Sequence, residues 1–268
     1  MPSLEVRGVE LEWSEQGKGP PVLLIHETAV DRAAWEGVSS ALGDHGARAI
    51  SYDRRGWGAS TEPPGYARTT VEEQSEDAAV LLESVSAGSA GSAVLAGAGL
   101  GAIIALDLAA RRPDLVAGTV LVEPPLLSLL PEATELLAAD RRALEAAAGE
   151  GRDALVSLYL SGGLGALAAG AERLPDELTA PARERPASLI AEIGAVPAWR
   201  MSVPRLSQAT RPAAILTSAG TPQLLVAAAA ALASRLESSE HRELPDQGPP
   251  HLDAPADVAE AALELAGG

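Results

Sequence analysis

Apolar positions along the chain fall into two periods that take turns. Leu4 to Trp13 alternates loosely between apolar and polar residues and meets Gly17-Lys18-Gly19-Pro20, which predicts a strand closed by a turn. Pro21-Val22-Leu23-Leu24-Ile25 is a short continuous apolar run, as in a strand buried on both faces, and ends at His26-Glu27-Thr28. Asp31 to Leu42 has helical spacing, with Trp35, Val38 and Leu42 on one face, and Ala47 to Tyr52 is another buried strand. Thr70 to Val85 predicts an amphipathic helix, opened by an N-cap hydroxyl with carboxylates in its first turn. A strand over Ser92 to Ala96 passes through Gly97-Ala98-Gly99-Leu100-Gly101 into a helix from Ala102 to Arg112, and Gly118 to Val122 is a strand ending at Glu123-Pro124-Pro125.

From Leu126 to Leu206 the pattern changes to Ala-, Leu- and Glu-rich helices, among them Ala133 to Ala148, Asp153 to Leu160 and Pro186 to Ile193. Alternation then resumes with a strand over Ala213 to Thr217, a helix around Gln223 to Leu236, a strand near His241 to Leu244 and a helix from Ala256 to Leu265. Repeated strand and helix predict an α/β class fold with a doubly wound, mostly parallel sheet and functional groups at the C-terminal ends of its strands. Residues 1–125 and 207–268 are expected to form the core, and 126–206 an inserted helical cap.

Charge and composition narrow the partners. Lys+Arg 20 against Asp+Glu 37 leaves a formal net charge of −17, which opposes phosphate backbones and anionic lipid surfaces, so neither nucleic acid nor membrane is expected as a partner. The chain has no Cys, so disulfide, thiolate-metal and Cys-nucleophile chemistry fall together. Its start lacks the basic and apolar regions of a signal peptide, and no run approaches the ~20 apolar residues of a membrane span, so a cytoplasmic location is expected. His26, His45, His241 and His251 show no i, i+3 or i, i+4 pairing, so neither a metal site nor a cofactor is expected.

Four segments together resemble the α/β-hydrolase family: the Leu24-Ile25-His26 strand end, the loop from Asp53 to Ser60, the glycine-flanked turn at Gly97 to Gly101, and Pro250-His251-Leu252-Asp253-Ala254-Pro255 before the last helix. The resemblance implies a strained strand-to-helix turn of pattern G-x-S-x-G, whose Ser attacks a carbonyl. Here Gly99 stands at the Ser position, with Gly97 and Gly101 retained. The triad acid of the family follows the strand that here is Ala213 to Thr217, yet Ser218-Ala219-Gly220-Thr221-Pro222 contains no carboxylate. The base position falls on Gly248, and a shifted alignment offers His251 instead. The triad positions are therefore expected to be substituted.

Backbone groups survive such losses. Leu100 N–H, at the start of a helix, is expected to face a carbonyl, carboxylate or enolate oxygen. Glu27 stands where the family more often has a small residue beside the oxyanion hole; it is read either as a proton carrier with a raised pKa or as an ionised plug of the vacant hole. Glu123 is a second candidate acid, or a partner of nearby backbone, and forms an acid/base pair with Glu27 if the two converge. The resemblance gives His26 a bracing role beside Thr28, and Asp53, Arg55 and Ser60 the fixing of their loop. His45 and His241 are expected at exposed element ends. The cap is expected to bring Trp199, Met201 and Tyr159 to an apolar chamber for a small apolar or aromatic molecule, with Ser161 to Gly165 as its hinge; packing of these large groups into the core is the competing reading.

Two functions from different classes follow. One is a cofactor-free enzyme, whether lyase, isomerase or unconventional hydrolase, that uses carboxylate acid/base chemistry on a carbonyl-type or hydrolysable substrate. The other is a ligand-binding protein that has kept the pocket and lost the chemistry. A hydrolase with its nucleophile moved to Ser218 or Thr28 is a third reading. The oligomeric state has no signature in the sequence.

Overall fold

The computed structural model describes residues 2–85, 92–199, 206, 209 and 211–267. The stretch expected as a single N-terminal strand is a hairpin of β1 (Ser3–Val6) and β2 (Val9–Gly17). Arg7 and Gly8 both take positive φ, 48° and 81°, and reverse the chain in two residues. Arg is a weaker signal for such a turn than Asn or Asp, so alternation alone runs the two strands together.

β3 (Pro21–Ile25), β4 (Arg48–Tyr52), β5 (Ala93–Ala98), β6 (Val116–Val122), β7 (Ala213–Ser218) and β8 (Ser239–Leu244) complete an eight-stranded sheet. Its order is β1-β2-β4-β3-β5-β6-β7-β8. The β1–β2 and β2–β4 pairs are antiparallel and the other pairs parallel, giving the mostly parallel sheet that the alternation predicts. α1 (Glu36–Asp44), α2 (Val71–Val85) and α3 (Leu100–Arg111) follow β3, β4 and β5. Between β6 and β7 run α4 (Ala133–Glu150), α5 (Arg152–Leu160), α6 (Ala180–Glu184), α7 (Pro186–Ile193) and α8 (Ala195–Ala198). α9 (Gln223–Ala233) follows β7, and α10 (Pro250–Asp253) and α11 (Pro255–Ala266) follow β8. The helix expected from Asp31 begins as a 3-10 turn over Arg32–Trp35, capped by the Asp31 carboxylate on Ala33 N–H at 2.9 Å, and turns α-helical at Glu36.

Helices cover both faces of the sheet, which explains the continuous apolar run of β3. Successive side chains of a strand point to opposite faces. Leu23 and Ile25 join Leu81 of α2, Ile103 and Ile104 of α3 and Leu232 of α9 in one core cluster; Val22 and Leu24 join Val38 and Leu42 of α1 and Val258 of α11 in the other.

The helices between β6 and β7 pack over the strand ends through Val156, Tyr159, Leu164 and Leu189, which meet Ala29 and Trp57 of the sheet loops. The turn expected as a hinge is tied down at its end, because the buried Asp140 carboxylate accepts the N–H groups of Gly165, Ala166 and Leu167 at 2.7–3.1 Å. Trp199 corrects the expected pocket lining. Its ring is buried in the main core cluster beside α3, and Nε1–H donates to Asp107 Oδ1 at 3.0 Å, so it faces away from the strand ends. Met201 lies outside the described residues. Trp199→Phe leaves a fully buried carboxylate short of a donor and should lower the unfolding free energy by about 1–3 kcal/mol, read from the urea midpoint.

Candidate active site

The C-terminal ends of β3, β5 and β6 converge on a cavity of about 360 Å³ whose opposite wall is formed by the helices between β6 and β7. Its polar lining includes Glu27, Thr28, Gly99, Glu123, Tyr159, Glu192 and His251, and its apolar lining includes Leu100, Leu127, Ile193 and Leu225. Glu27, Thr28, Gly99, Leu100, Glu123 and His251, all singled out in the sequence, thus share one space.

The turn from β5 into α3 is built by close approach. A Cβ on Gly97 would lie 2.2 Å from Gly101 O, so any side chain there would force the turn open. Gly99 holds φ 51° and ψ −121°, a conformation costly for L side chains, at the N-cap of α3. A Cβ on Gly99 would stand 2.9 Å from Glu27 Cβ and 3.4 Å from Glu27 Oε2, so the Glu27 side chain faces the space in front of this turn. Leu100 is the first residue of α3, and the N–H groups of a first helical turn have no intrahelical acceptor.

Glu27 extends into the cavity with 21% of its side chain exposed. Burial, reinforced by the negative charge of Glu123 and opposed by Arg173 and Arg54, pushes its carboxyl up to about 8, so it is protonated at neutral pH. Its Oε1 lies 3.4 Å from His251 Nε2. The imidazole is 2% exposed, packs against Trp35 with ring centroids 5.0 Å apart and planes tilted by 39°, and has no hydrogen-bond partner at either nitrogen among the described residues. Burial and the nearby Arg173 charge bring His251 down to about 3. Both effects favour a neutral pair, a carboxylic acid beside an imidazole, over an ion pair.

His26 braces the loop that carries Glu27. Its Nδ1–H donates to Glu27 O at 2.8 Å and its Nε2 accepts Arg54 N–H at 3.0 Å, which fixes a neutral tautomer; burial and the Arg54 charge hold its pKa well below the usual range. Asp53 accepts the N–H groups of Arg32 and Ala59, Ser60 donates to Asp53 O, and Arg55 forms a two-pronged pair with Asp77, so all three fix the loop after β4.

Glu123 departs from the expected backbone partnership. It sits at φ 46° beyond β6, and its Oε1 accepts from Arg173 at 2.6 Å and from Thr221 Oγ1 at 2.5 Å. The same guanidinium donates to Ser218 Oγ at 2.8 Å and Gln247 O at 3.0 Å, bridging the ends of β6, β7 and the loop beyond β8. Thr28 Oγ1 donates to Glu192 at 3.0 Å. At Gly248 a Cβ would fall 2.2 Å from Asp253 Oδ2, which instead accepts Gly248 N–H at 2.8 Å. His45 is exposed at the end of α1 as expected, whereas His241 lies within β8, half-buried, with Nε2 2.9 Å from Thr217 Oγ1. Among the described residues no cluster of His, Asp and Glu is placed to hold a metal ion, and no helix is long and apolar enough to cross a membrane.

Residues 22–261 match the model of the alpha/beta hydrolase family. The chain belongs to that family. Relatives of this alpha/beta hydrolase include the uncharacterized hydrolase YraK of Bacillus subtilis, 33% identical over 48% of this chain and 46% of that protein. The epoxide hydrolase of Caballeronia sordidicola is 34% identical over 41% of this chain and 33% of its own. In neither case does the match span half of the relative. The fold agrees over the whole length with the enol-lactonase from Burkholderia xenovorans, at a TM-score of 0.67 and 18% identity over 100% of both chains. Est816, described as an N-acyl homoserine lactone degrading enzyme, agrees at a TM-score of 0.73 and 21% identity over 97% of this chain and 98% of its own.

Sequence reading of this alpha/beta hydrolase misses the cluster behind the cavity. Arg54 donates to His26 O and Glu27 O at 2.9 and 3.0 Å, to Gln74 at 2.5 Å, and to both oxygens of Glu192, all with buried side chains except Glu27. Glu192 looks like an ordinary polar residue of a helix; a carboxylate among the apolar residues of α7 is the one signal for it. Arg173 has no signal in the sequence, because a 3-10 turn has too few residues to show a face.

Proposed function

We propose that this chain is a cofactor-independent enzyme that acts on small, largely apolar molecules with a carbonyl or strained ring oxygen, without a serine nucleophile. Gly99 and Gly248 stand at substituted triad positions in this reading, the segment from Ser218 to Pro222 carries no acid, and the helices from 126 to 206 act as a cap over the site. The observation that carries it is the Glu27–His251 pair, two neutral titratable groups 3.4 Å apart in the cavity, with Glu27 facing the turn where the family places its nucleophile. With an uncharged substrate, its oxygen rests at the N-terminus of α3 near Leu100 N–H, where the helix dipole and free donors stabilise developing negative charge. Glu27 gives its proton to that oxygen, and the proton shed by water or by an acidic C–H passes through the lone pair of His251 back to the Glu27 carboxylate 3.4 Å away, which restores the neutral pair. Burial keeps Glu27 protonated, and the charge of Glu123, held by Arg173, adds to that effect. The names of the relatives, hydrolase and epoxide hydrolase, support the choice of hydrolysable substrates for the test.

Turnover of uncharged short-chain esters, lactones and epoxides, with direct detection of product, tests the proposal. The kcat/KM profile should be level through neutral pH and fall about tenfold per pH unit above about 8, as Glu27 loses its proton. An alkaline limb absent up to pH ~10, or covalent labelling by an acyl-serine probe, would overturn it. A ligand that binds stoichiometrically and is recovered unchanged would make the chain a binding protein. That alternative is favoured by the pairing of Glu123 and Glu192 with guanidinium groups.

A further inference from the structure

We propose that the cavity selects a small apolar molecule carrying one protonated amine, with Glu27 as its counter-ion. The inference rests on the reading of this cavity as the ligand site, and it names the chemical class of the ligand.

Charge bookkeeping within the cavity leads to it. Three carboxyl groups line the space, those of Glu27, Glu123 and Glu192, and no Lys or Arg side chain does among the described residues. Two of the three are matched from behind the wall: Glu192 by Arg54, and Glu123 by Arg173. Glu27 pairs with neither guanidinium and contacts only the imidazole of His251 among the described polar groups. An arriving ammonium ion therefore finds one uncommitted carboxyl, and ionisation of Glu27 restores neutrality. A carboxylate ligand finds no cation on the described wall to pair with, so its desolvation goes uncompensated.

The hydrogen-bonding capacity of the cavity points the same way. His251 is 2% exposed, and neither of its nitrogens has a hydrogen-bond partner among the described residues, so the ring has bonding capacity that a ligand in the cavity can use. Burial keeps this imidazole neutral, so its lone pair is an acceptor in search of a donor. Glu123 uses Oε1 for both Arg173 and Thr221, which leaves Oε2 as a second acceptor. Together with the Glu27 carboxylate, these match the three N–H donors of a primary ammonium. The formal net charge of −17 adds long-range attraction for cations.

Groups facing Glu27 set the pH dependence. They are Glu123 from the end of β6, Arg173 from the turn before α6, Arg54 from the loop after β4, Tyr159 of α5 and His251 of α10. Without a bound cation Glu27 keeps its proton to about pH 8, so cation binding below that pH must expel it. With an amine substrate Glu27 then enters the reaction as a carboxylate and accepts a proton, the reverse of its role toward uncharged substrates.

Isothermal titration of the full chain with benzylamine, benzyl alcohol and benzoate tests the inference without reference to turnover. At pH 7 benzylamine should bind at least about tenfold more tightly than benzyl alcohol, and benzoate more weakly than both. Heats measured in buffers of different ionisation enthalpy should show about one proton released per benzylamine bound at pH 7, falling to zero between pH ~8 and ~9 and reversing to uptake above, where the free amine has itself lost its proton. Glu27→Gln should lose both the preference and the proton release; Glu123→Gln should weaken benzylamine binding while leaving benzyl alcohol unaffected. Equal affinities for the amine and the alcohol, tighter benzoate, binding without proton release, or no benzylamine binding would each overturn the inference. Amine selectivity without turnover of any substrate would overturn the enzymatic reading alone, and turnover without amine selectivity would overturn the inference alone.

Discussion

Glu27→Gln should reduce turnover of an uncharged substrate by at least about 10²-fold, the usual contribution of a positioned proton carrier, with product formation followed directly. The same substitution should make the protein more stable at alkaline pH. Glu27 ionises at about 8 in the folded chain and within the ordinary carboxylate range once unfolded. Between those values the unfolded chain has released a proton that the folded one retains, so stability falls as pH rises through this window. The contribution is intact below the unfolded value and lost by the time pH passes the folded one. The amide of the variant does not titrate and has no such dependence. The gap between variant and wild type should open from near zero at pH ~4 to roughly 2–4 kcal/mol at pH ~9, the partial exposure of the side chain holding it below the full linkage value. Urea midpoints at the two pH values measure it. Parallel pH dependence in the two proteins would place the Glu27 proton elsewhere.

Glu192→Ala should be the more damaging change to the fold, at about 3–5 kcal/mol. It strands Arg54, whose side chain is 1% exposed, and removes the acceptor of Thr28 and Gln74. Replacing both partners, Arg54→Met with Glu192→Leu, should cost less than Glu192→Ala alone, because the larger penalty arises from an uncompensated buried charge and not from the loss of attraction. Thermal and urea unfolding of the three proteins would decide this, and a double variant less stable than the single one would show that Arg54 acts chiefly through its bonds to His26 O and Glu27 O.

The sheet is legible in the sequence because burial on both faces leaves no room for polar alternation. The runs at Val22 to Ile25 and Gly118 to Val122 therefore mark parallel strands, the second beginning two residues earlier in the structure, and the sharp glycine pattern at 97, 99 and 101 marks the turn between β5 and α3. Trp199 is misplaced by sequence reading because hydropathy reports that a side chain is buried and not against what; Asp107, its partner, lies 92 positions away. His241 fails similarly, since the strand that holds it shows only in part. In the site, Glu27 stands out by its position after a buried strand, but its neighbour His251 depends on which of two alignments is chosen. Only the contact between α10 and the cavity brings that imidazole to Glu27. Arg54 and Glu192 pair across 138 positions, and Arg173 and Glu123 across 50, distances over which neither period nor motif carries information.

Leu126 and Trp199, at the two ends of the helical segment, are both seated in the main core cluster. The helices between them therefore hang from the sheet as a closed loop with neither end free. If they unfold while the sheet stays intact, the released chain is tethered twice, and holding its ends together subtracts from the entropy it gains an amount that grows only with the logarithm of its length. Amide exchange should thus resolve two tiers. Protons of α4 and α5 should exchange through a local opening that spares the sheet, while those of β3, β5 and β6 wait for the whole molecule to come apart.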